Sequence, residues 1–216
     1  MDTKNKAINI NGIIIRTEPI KEYDKRLTLV TDELGKINVV SFCSKRQNYK
    51  NISKTNIFVF GEFELKIVNG IYNLNNVNVK NFFTDLSNDI DNFIHGNYFL
   101  ELLNYFSFEN NPDFNNLDLI IYSLNSLIKN KMNKNLIRRV FELRLLSLEG
   151  IAKTSDLLPN STSETVKYVW DYVLNNNIQQ LFNFNLETTF LKEFEYLVKK
   201  EIEQNVDYKF KSLDLI

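Results

Sequence analysis

The residues best suited to bind a charged partner lie in a basic stretch between residues 44 and 54. Over these eleven positions there is no acidic residue, and the four cations are Lys45, Arg46, Lys50 and Lys54. Lysine and arginine pair with phosphate oxygens, and the ring of Tyr49 offers a face on which a nucleic-acid base can stack. The stretch therefore predicts contact with a nucleic acid, although a solvated basic loop would have the same composition.

The charge of the chain is divided unevenly between its two parts. Residues 1–80 carry 13 Lys and Arg against 8 Asp and Glu, a balance of +5, whereas residues 81–216 carry 13 against 19, a balance of −6. The asymmetry indicates a polyanionic partner for the basic part, unless two small domains differ by chance. Including cations around residues 16–26, the residues predicted to contact nucleic acid are Arg16, Lys25, Arg26, Lys45, Arg46, Tyr49, Lys50 and Lys54.

Residues for catalysis or metal binding are scarce. His95 is the only His and Cys43 the only Cys, which excludes an intrachain disulfide and an ordinary four-ligand structural zinc site. Walker and dinucleotide-binding motifs are absent, and the carboxylates show no paired spacing. We therefore expect no enzyme, no cofactor and no bound metal, with His95 a helix-surface or packing residue and Cys43 an inert thiol.

The sequence also bears on where the protein acts. No apolar run reaches the roughly 18 residues of a membrane span, and the first residues lack the apolar stretch of a secretory signal. A single Cys is typical of proteins in reducing compartments. These features predict a cytoplasmic protein with no membrane partner.

The first 80 residues alternate apolar and polar side chains with the period of β-strands. Asn69-Gly70 joins two such runs, and this dipeptide is a strong signal for a β-hairpin. Five strands with no helix between them predict a small barrel or sandwich. An OB-fold fits this size, and so does an SH3-like barrel. The strands are predicted at residues 8–17, 26–31, 35–42, 58–68 and 71–79.

From about residue 85 the apolar residues recur every three or four positions, which is the period of helices. The pattern predicts a helical domain over residues 81–216, with an apolar, partly strand-like tail from Tyr208 that docks on it. The third predicted helix, residues 136–148, carries cations that could meet an acidic peptide or form the solvated edge of a core helix. These residues are Arg138, Arg139 and Arg144.

Several segments resemble the family of the DNA repair protein RecO. They are Gly12–Thr17, Glu22–Asp24, Leu27–Thr31, Gly35-Lys36, Lys45-Arg46, Arg139–Gly150 and Phe210–Leu213. The resemblance implies an α+β chain, with a five-stranded OB-fold barrel over residues 1–80 that binds DNA and an all-α domain over 81–216 with a short docked tail. Many family members also carry a four-cysteine zinc module after the central helix. Residues 150–165 contain no Cys, so this chain would hold that region by packing alone.

The family resemblance implies a recombination mediator of the bacterial nucleoid. Such proteins bind single- and double-stranded DNA, anneal complementary strands, and help load RecA onto strands coated by SSB. Their partners are RecR and the C-terminal tail of SSB, an acidic peptide that Arg138, Arg139 and Arg144 could meet. Tyr23 or Tyr49 could stack on bases. An OB-fold protein of another RNA or DNA pathway and a protein-interaction scaffold are the alternatives.

Overall fold

The computed structural model describes residues 6–21, 24–42, 53–109, 111 and 114–215. The chain divides into two compact units. We call the first the barrel unit, which comprises Met1–Thr84 and Asn104–Leu117. We call the second the helical unit, which comprises Asp85–Leu103 and Asp118–Ile216.

Five strands among the described residues close into a barrel with the spatial order β1-β2-β3-β5-β4. β1 pairs with both β2 and β4, and β3 runs parallel to β5. This arrangement is the five-stranded OB-fold, so the predicted fold class is confirmed. The strands are β1 Lys6–Pro19, β2 Lys25–Thr31, β3 Gly35–Ser41, β4 Phe60–Val68 and β5 Ile71–Asn81.

The long first strand is shared between two neighbours, and Gly12 lies in both ladders. It faces Thr31 of β2 and Gly61 of β4, and a Cβ at Gly12 would lie 2.9 Å from a backbone oxygen of β2. The sequence indicates a bulge or bend at Gly12, but the ladder irregularity lies further on, between Ile14 and Arg16. Gly12 instead allows the strands to approach closely, and the bulge comes just before the exposed, charged end of β1.

The barrel is filled by the inward residues of the alternating strands, as the period of two requires. Leu27 and Leu29 of β2 are fully buried, and Ile37 and Val39 of β3 are at most 2% exposed. The side chains between them in sequence lie on the outer face of the sheet. The buried cluster is Ile10, Ile14, Leu27, Leu29, Ile37, Val39, Val59, Phe63, Leu65 and Val77.

A segment after the first helix completes the barrel unit beside β3. Glu109 forms isolated bridges with Gly35 and Lys36, and the Lys36 N–H donates to the Phe108 carbonyl at 3.3 Å. Gly35 has a φ of +63°, and a Cβ there would lie 1.9 Å from the Asn111 carbonyl oxygen. Gly35 is therefore required both by the left-handed turn and by this close backbone approach.

Replacing Gly35 by Ala is expected to destabilise the protein by about 2–4 kcal/mol, because the methyl group adds a backbone clash to the strain of a positive φ. Gly70→Ala is the matched control, since Gly70 has a φ of +77° and no atom lies within 4 Å of the position that its methyl group would take. The control should cost only about 1 kcal/mol. Urea unfolding of both variants measures the difference, and equal losses would show that the Asn111 contact costs nothing.

Beyond residue 84 the described residues form five helices. They are α1 Ile90–Phe106, α2 Phe114–Lys129, α3 Lys134–Leu148, α4 Glu164–Asn175 and α5 Thr188–Asn205. The sequence indicates Asp85 or Ser87 as the cap of α1, but Asp89 accepts the N–H groups of Asp91 and Asn92. Because a cap must directly precede the first turn, the intervening 3-10 turn moves this role to Asp89.

The core of the helical unit is aromatic. Phe99 of α1 stacks on Phe141 of α3 at a centroid distance of 4.3 Å, and Trp170 of α4 meets Phe194 of α5 edge-on at 6.1 Å. All four side chains are fully buried. Such pairs add about 0.5–1.5 kcal/mol each to the stabilisation from their buried area.

The C-terminal segment packs on α1 within the helical unit. Phe210 is 1% exposed and meets the ring of Tyr98 edge-on at 5.6 Å. The Ser212 hydroxyl donates to the Glu101 carboxylate at 2.7 Å. The segment Lys211–Leu215 is a 3-10 turn rather than a strand, because its hydrogen bonds are local and to α1.

Candidate nucleic-acid interface

The outer face of β1, β2 and β3 carries two rows of side chains that cross the strands. The register aligns Arg16 of β1 with Thr28 of β2 and Asn38 of β3. The neighbouring row consists of Glu18, Arg26 and Val40. Charged and hydrogen-bonding groups from three strands therefore lie side by side on one surface.

This surface forms the floor of a groove of about 810 Å³. The turn between β4 and β5 contributes Gly70, Ile71 and Tyr72 to its wall, and Asn104 and Glu109 contribute another part. We call it the β1–β3 groove. In OB-folds, the face of strands 2 and 3 and the loop between strands 4 and 5 bind oligonucleotides. The lining residues are Arg16, Glu18, Arg26, Thr28, Lys36, Ile37, Asn38, Val40, Gly70, Ile71, Tyr72, Asn104 and Glu109.

The three cations of the groove differ in exposure and in the groups that they contact. Arg16 forms an ion pair with Glu18, and 59% of its side chain is exposed. Arg26 is exposed, while Lys36 is partly buried and donates through Nζ to the Asn104 carbonyl at 2.8 Å. Burial lowers the pKa of Lys36, and the negative charge of Glu109 partly offsets this. Arg16 and Arg26 are thus the groove cations best placed to pair with a phosphate.

An apolar side of the groove is suited to nucleic-acid bases. Tyr72 packs against the barrel core while lining the groove, and Ile71 beside it is 53% exposed. The Tyr72 side chain points to the inner face of the sheet, because Tyr72 pairs with the buried Val39, so Ile71 supplies the exposed apolar surface. The groove therefore combines cations for phosphates with one exposed apolar side chain.

Not all of the predicted binding residues line this groove. Lys25 donates to Asn56 at 3.3 Å, and Lys54 donates to the Val77 carbonyl at 3.0 Å. Neither lysine is among the lining residues, whereas Arg16 and Arg26 are. Other predicted contact or stacking residues lie outside the described part of the chain: Tyr23, Lys45, Arg46, Tyr49 and Lys50.

The sequence predicts two of the thirteen lining residues, Arg16 and Arg26, and misses the other eleven. Lys36 and Asn38 could have been found, because they alternate with Ile37 and Val39 on β3 and so share the outer face with Arg26. Tyr72 carried no such signal. It reaches the groove through the parallel pairing of β5 with β3, in which Val39 faces Tyr72, and a contact between distant segments leaves no local pattern.

Two family models match the chain. The model described as "Recombination protein O N terminal" matches residues 5–83, and "Recombination protein O C terminal" matches residues 87–154. The chain belongs to the RecO family. The N-terminal match covers the five strands of the barrel, and the C-terminal match covers α1, α2 and α3. The predicted family is thereby confirmed.

Relatives with the name DNA repair protein RecO align with this chain. The chain is 31% identical to DNA repair protein RecO of Clostridium novyi over 139 residues, which are 64% of this chain and 54% of that protein. It is 23% identical to DNA repair protein RecO of Acetivibrio thermocellus over 240 residues, covering 97% and 96% of the two chains. The matched region thus spans about half of one RecO relative and nearly all of another.

The zinc module that the RecO resemblance implies does not fit this chain. No Cys occurs between residues 150 and 165, and no cluster of three or more His, Cys, Asp or Glu suited to a metal occurs among the described residues. Carboxylate and lysine side chains occupy this region instead. We therefore assign no step to a metal.

The region after α3 is held by hydrogen bonds as well as by packing, so the expectation of packing alone is wrong. Lys153 donates through its backbone N–H and its Nζ to the buried Glu201 carboxylate at 3.2 and 2.9 Å. The Trp170 indole N–H donates to the Lys153 carbonyl at 2.8 Å. Further along, Ser163 donates through its N–H and hydroxyl to Glu193. These contacts tie the segment to α4 and α5.

The three arginines of α3 face the protein interior rather than forming a solvated edge. Arg139 donates to the buried Glu142 carboxylate at 2.7 Å, and the Nε of Arg138 lies 3.6 Å from the same group. The Tyr98 hydroxyl donates to Glu142 at 2.7 Å. Arg144 donates to the carbonyls of the last turn of α4, where a cation complements the helix dipole.

His95 is a buried packing residue of α1. It is 5% exposed, and its Nδ1 lies 2.7 Å from the Asp91 carbonyl, which fixes Nδ1 as the donor. Burial lowers the pKa of His95; the Asp91 carbonyl raises it, and the cations Arg138 and Lys134 lower it further. A neutral imidazole whose donor is already used by its own helix has the features of a structural residue.

Acidification should therefore destabilise the protein through His95. Because its folded pKa lies below its unfolded value of about 6.5, its contribution is fully present above that value and is lost as pH falls through the folded pKa. The slope reaches at most about 1.4 kcal/mol per pH unit. His95→Asn, which keeps a donor for the Asp91 carbonyl, should make the unfolding free energy fall less steeply as pH drops below about 6.5. Parallel pH profiles for the two proteins would contradict this.

None of the described helices is long and apolar enough to cross a membrane.

Proposed function

We propose that this RecO family protein is a recombination mediator that binds single- and double-stranded DNA through its OB-fold and anneals complementary strands. The observation that carries the proposal is the β1–β3 groove, in which Arg16 and Arg26 lie on the face that OB-folds use for oligonucleotides. The family membership supports DNA repair as the setting.

The mechanism is noncovalent and involves no cofactor and no enzymatic step. Arg16 and Arg26 neutralise phosphates and release their counterions, which supplies affinity without sequence preference. Tyr23 and Tyr49 stay the predicted stacking residues, each worth about 1–3 kcal/mol per base. Neutralised strands repel each other less, so two complementary strands held at one surface can pair. The basic connection containing Lys45, Arg46 and Lys50 stays a predicted extension of this surface.

The proposed partners follow from the family. The protein acts with RecR in the bacterial cytoplasm, contacts the acidic C-terminal tail of SSB, and helps RecA replace SSB on single strands. The arginines of α3 stay predicted contacts for that tail. The Arg138 guanidinium has weaker internal contacts than Arg139, since its Nε lies 3.6 Å from the Glu142 carboxylate. Arg138 is accordingly the first of the three to test against an SSB-tail peptide.

The decisive experiment is annealing of complementary DNA strands coated with SSB, with and without this protein, and again with RecR added. We expect faster annealing with the protein present and faster RecA loading when RecR is present. Complementary RNA strands serve as the comparison. Annealing of RNA but not DNA would assign the protein to another pathway, and no annealing or binding of either would leave a protein-interaction scaffold.

A further inference from the structure

We propose that Glu109 occupies part of the β1–β3 groove in place of a DNA phosphate, and so weakens DNA binding by this protein. The inference rests on the proposed function, because it assumes that DNA enters this groove. It concerns the barrel unit alone, since Glu109 and the strands it meets belong to that unit.

The backbone holds Glu109 against the outer strand of the groove. Glu109 bridges to Gly35 and Lys36, and the preceding Phe108 carbonyl accepts the Lys36 N–H at 3.3 Å. The segment thus runs beside the start of β3. Further along β3, Val40 faces Asn73 of β5 instead. Glu109 therefore has a fixed position at one end of the groove rather than a freely moving side chain.

The Glu109 carboxylate uses donors that a phosphate would use. The Asn38 side-chain amide donates to it at 2.7 Å, and its charge raises the pKa of Lys36 against the effect of burial. Asn38 ends the row that begins with Arg16 and continues through Thr28. A strand of DNA that followed this row across the sheet would meet a negative charge where the row ends.

The charges of the groove make this effect large. Three cations, Arg16, Arg26 and Lys36, face two acids, Glu18 and Glu109, so the net charge is only +1. Glu18 is paired with Arg16 on the same strand, whereas Glu109 comes from a segment some 70 residues away in sequence. Removing the Glu109 charge would double the net positive charge of the groove without altering a strand.

The test compares Glu109→Gln with Glu62→Gln in the full chain. Glutamine at 109 can still accept the Asn38 hydrogen bond but carries no charge. Glu62 lies on β4, outside the groove lining, and its replacement removes the same charge from the barrel unit. Both variants should unfold at the temperature of the unchanged protein, because each loses only an exposed or half-exposed charge.

Binding is measured by fluorescence anisotropy of a labelled oligothymidylate at several salt concentrations. Glu109→Gln should bind about 5-fold more tightly at about 0.1 M salt, with a log–log salt slope steeper by about 0.7, as for one added phosphate contact. Glu62→Gln should change affinity less than 2-fold. Equal effects of the two variants, or weaker binding by Glu109→Gln, would overturn the inference.

The same series separates this inference from the proposed function. Replacing Arg16 and Arg26 together by Gln tests whether DNA uses the groove at all. If that protein binds DNA as the unchanged protein does, the groove is not the binding face and the proposed function loses its site. If it binds weakly while Glu109→Gln and Glu62→Gln have equal affinities, the groove is the DNA-binding face and Glu109 does not weaken DNA binding.

Discussion

The protein carrying both Arg16→Gln and Arg26→Gln is expected to bind single-stranded DNA about 25-fold more weakly at about 0.1 M salt, because two phosphate contacts are lost. Each contact on a single strand releases about 0.7 counterion, which is about 5-fold in affinity at this salt concentration. The log–log salt slope should become shallower by about 1.4, and the loss should be the same for every sequence.

The matched control replaces Lys66 and Lys80 by Gln. Both lysines belong to the barrel unit, on β4 and β5, and neither lines the β1–β3 groove. The two double variants have the same net charge, so a general effect of charge would weaken both alike. The Arg16 and Glu18 pair is exposed and contributes less than about 1 kcal/mol, so the test variant should remain folded. Equal binding by both variants would refute the groove as the DNA-binding face.

Most of the fold could be predicted because its signals are local. The alternation of Leu27 and Leu29 or of Ile37 and Val39 marks each strand separately, and Asn69-Gly70 marks the hairpin, with both residues at positive φ. Strand ends were less predictable. Phe58 and Val59 continue the apolar pattern ahead of β4 but lie outside it, because Phe58 has a φ of +70°, which extended pairing does not allow.

The candidate site was only partly predictable, because composition does not reveal the face of the sheet to which a side chain points. Arg26 and Lys25 are neighbours in sequence with the same charge, yet only Arg26 lies in the groove, because successive side chains of a strand point to opposite faces. Lys54 looked like a free cation and instead donates to the Val77 carbonyl. The place of Glu109 in the groove could not be predicted from sequence, since its contact with Asn38 joins residues 71 positions apart.

The arginines of α3 illustrate the same limit for the helical unit. A helix face with cations is usually solvated, because isolated buried charges are costly. Here Glu142, which is 1% exposed, supplies the opposite charge, and its spacing of three and four residues from Arg139 and Arg138 places all three on one side of α3. The spacing was present in the sequence, but burial follows only from the packing of the other helices against α3.

Replacing Glu142 by Ala should therefore destabilise the helical unit by about 3–5 kcal/mol, because it leaves the Arg139 guanidinium and the Tyr98 hydroxyl buried without their partner. For a chain of this length the melting temperature should fall by about 6–20 °C. Glu203→Ala is the control. Glu203 is 62% exposed and lies 3.7 Å from Lys199 on the surface of α5, so its loss should cost less than about 0.5 kcal/mol.

A second variant separates the unpaired charge from the lost volume. Replacing Glu142 by Leu and Arg139 by Met fills the site with apolar side chains and removes both members of the closest ion pair. Buried ion pairs exchanged for well-packed apolar residues are often neutral for stability, so this protein should recover more than half of the loss seen with Glu142→Ala. If it is no more stable than Glu142→Ala, the unpaired Arg139 charge is not the cause of that loss. The contacts of Tyr98 and Arg138 with Glu142 would then account for it.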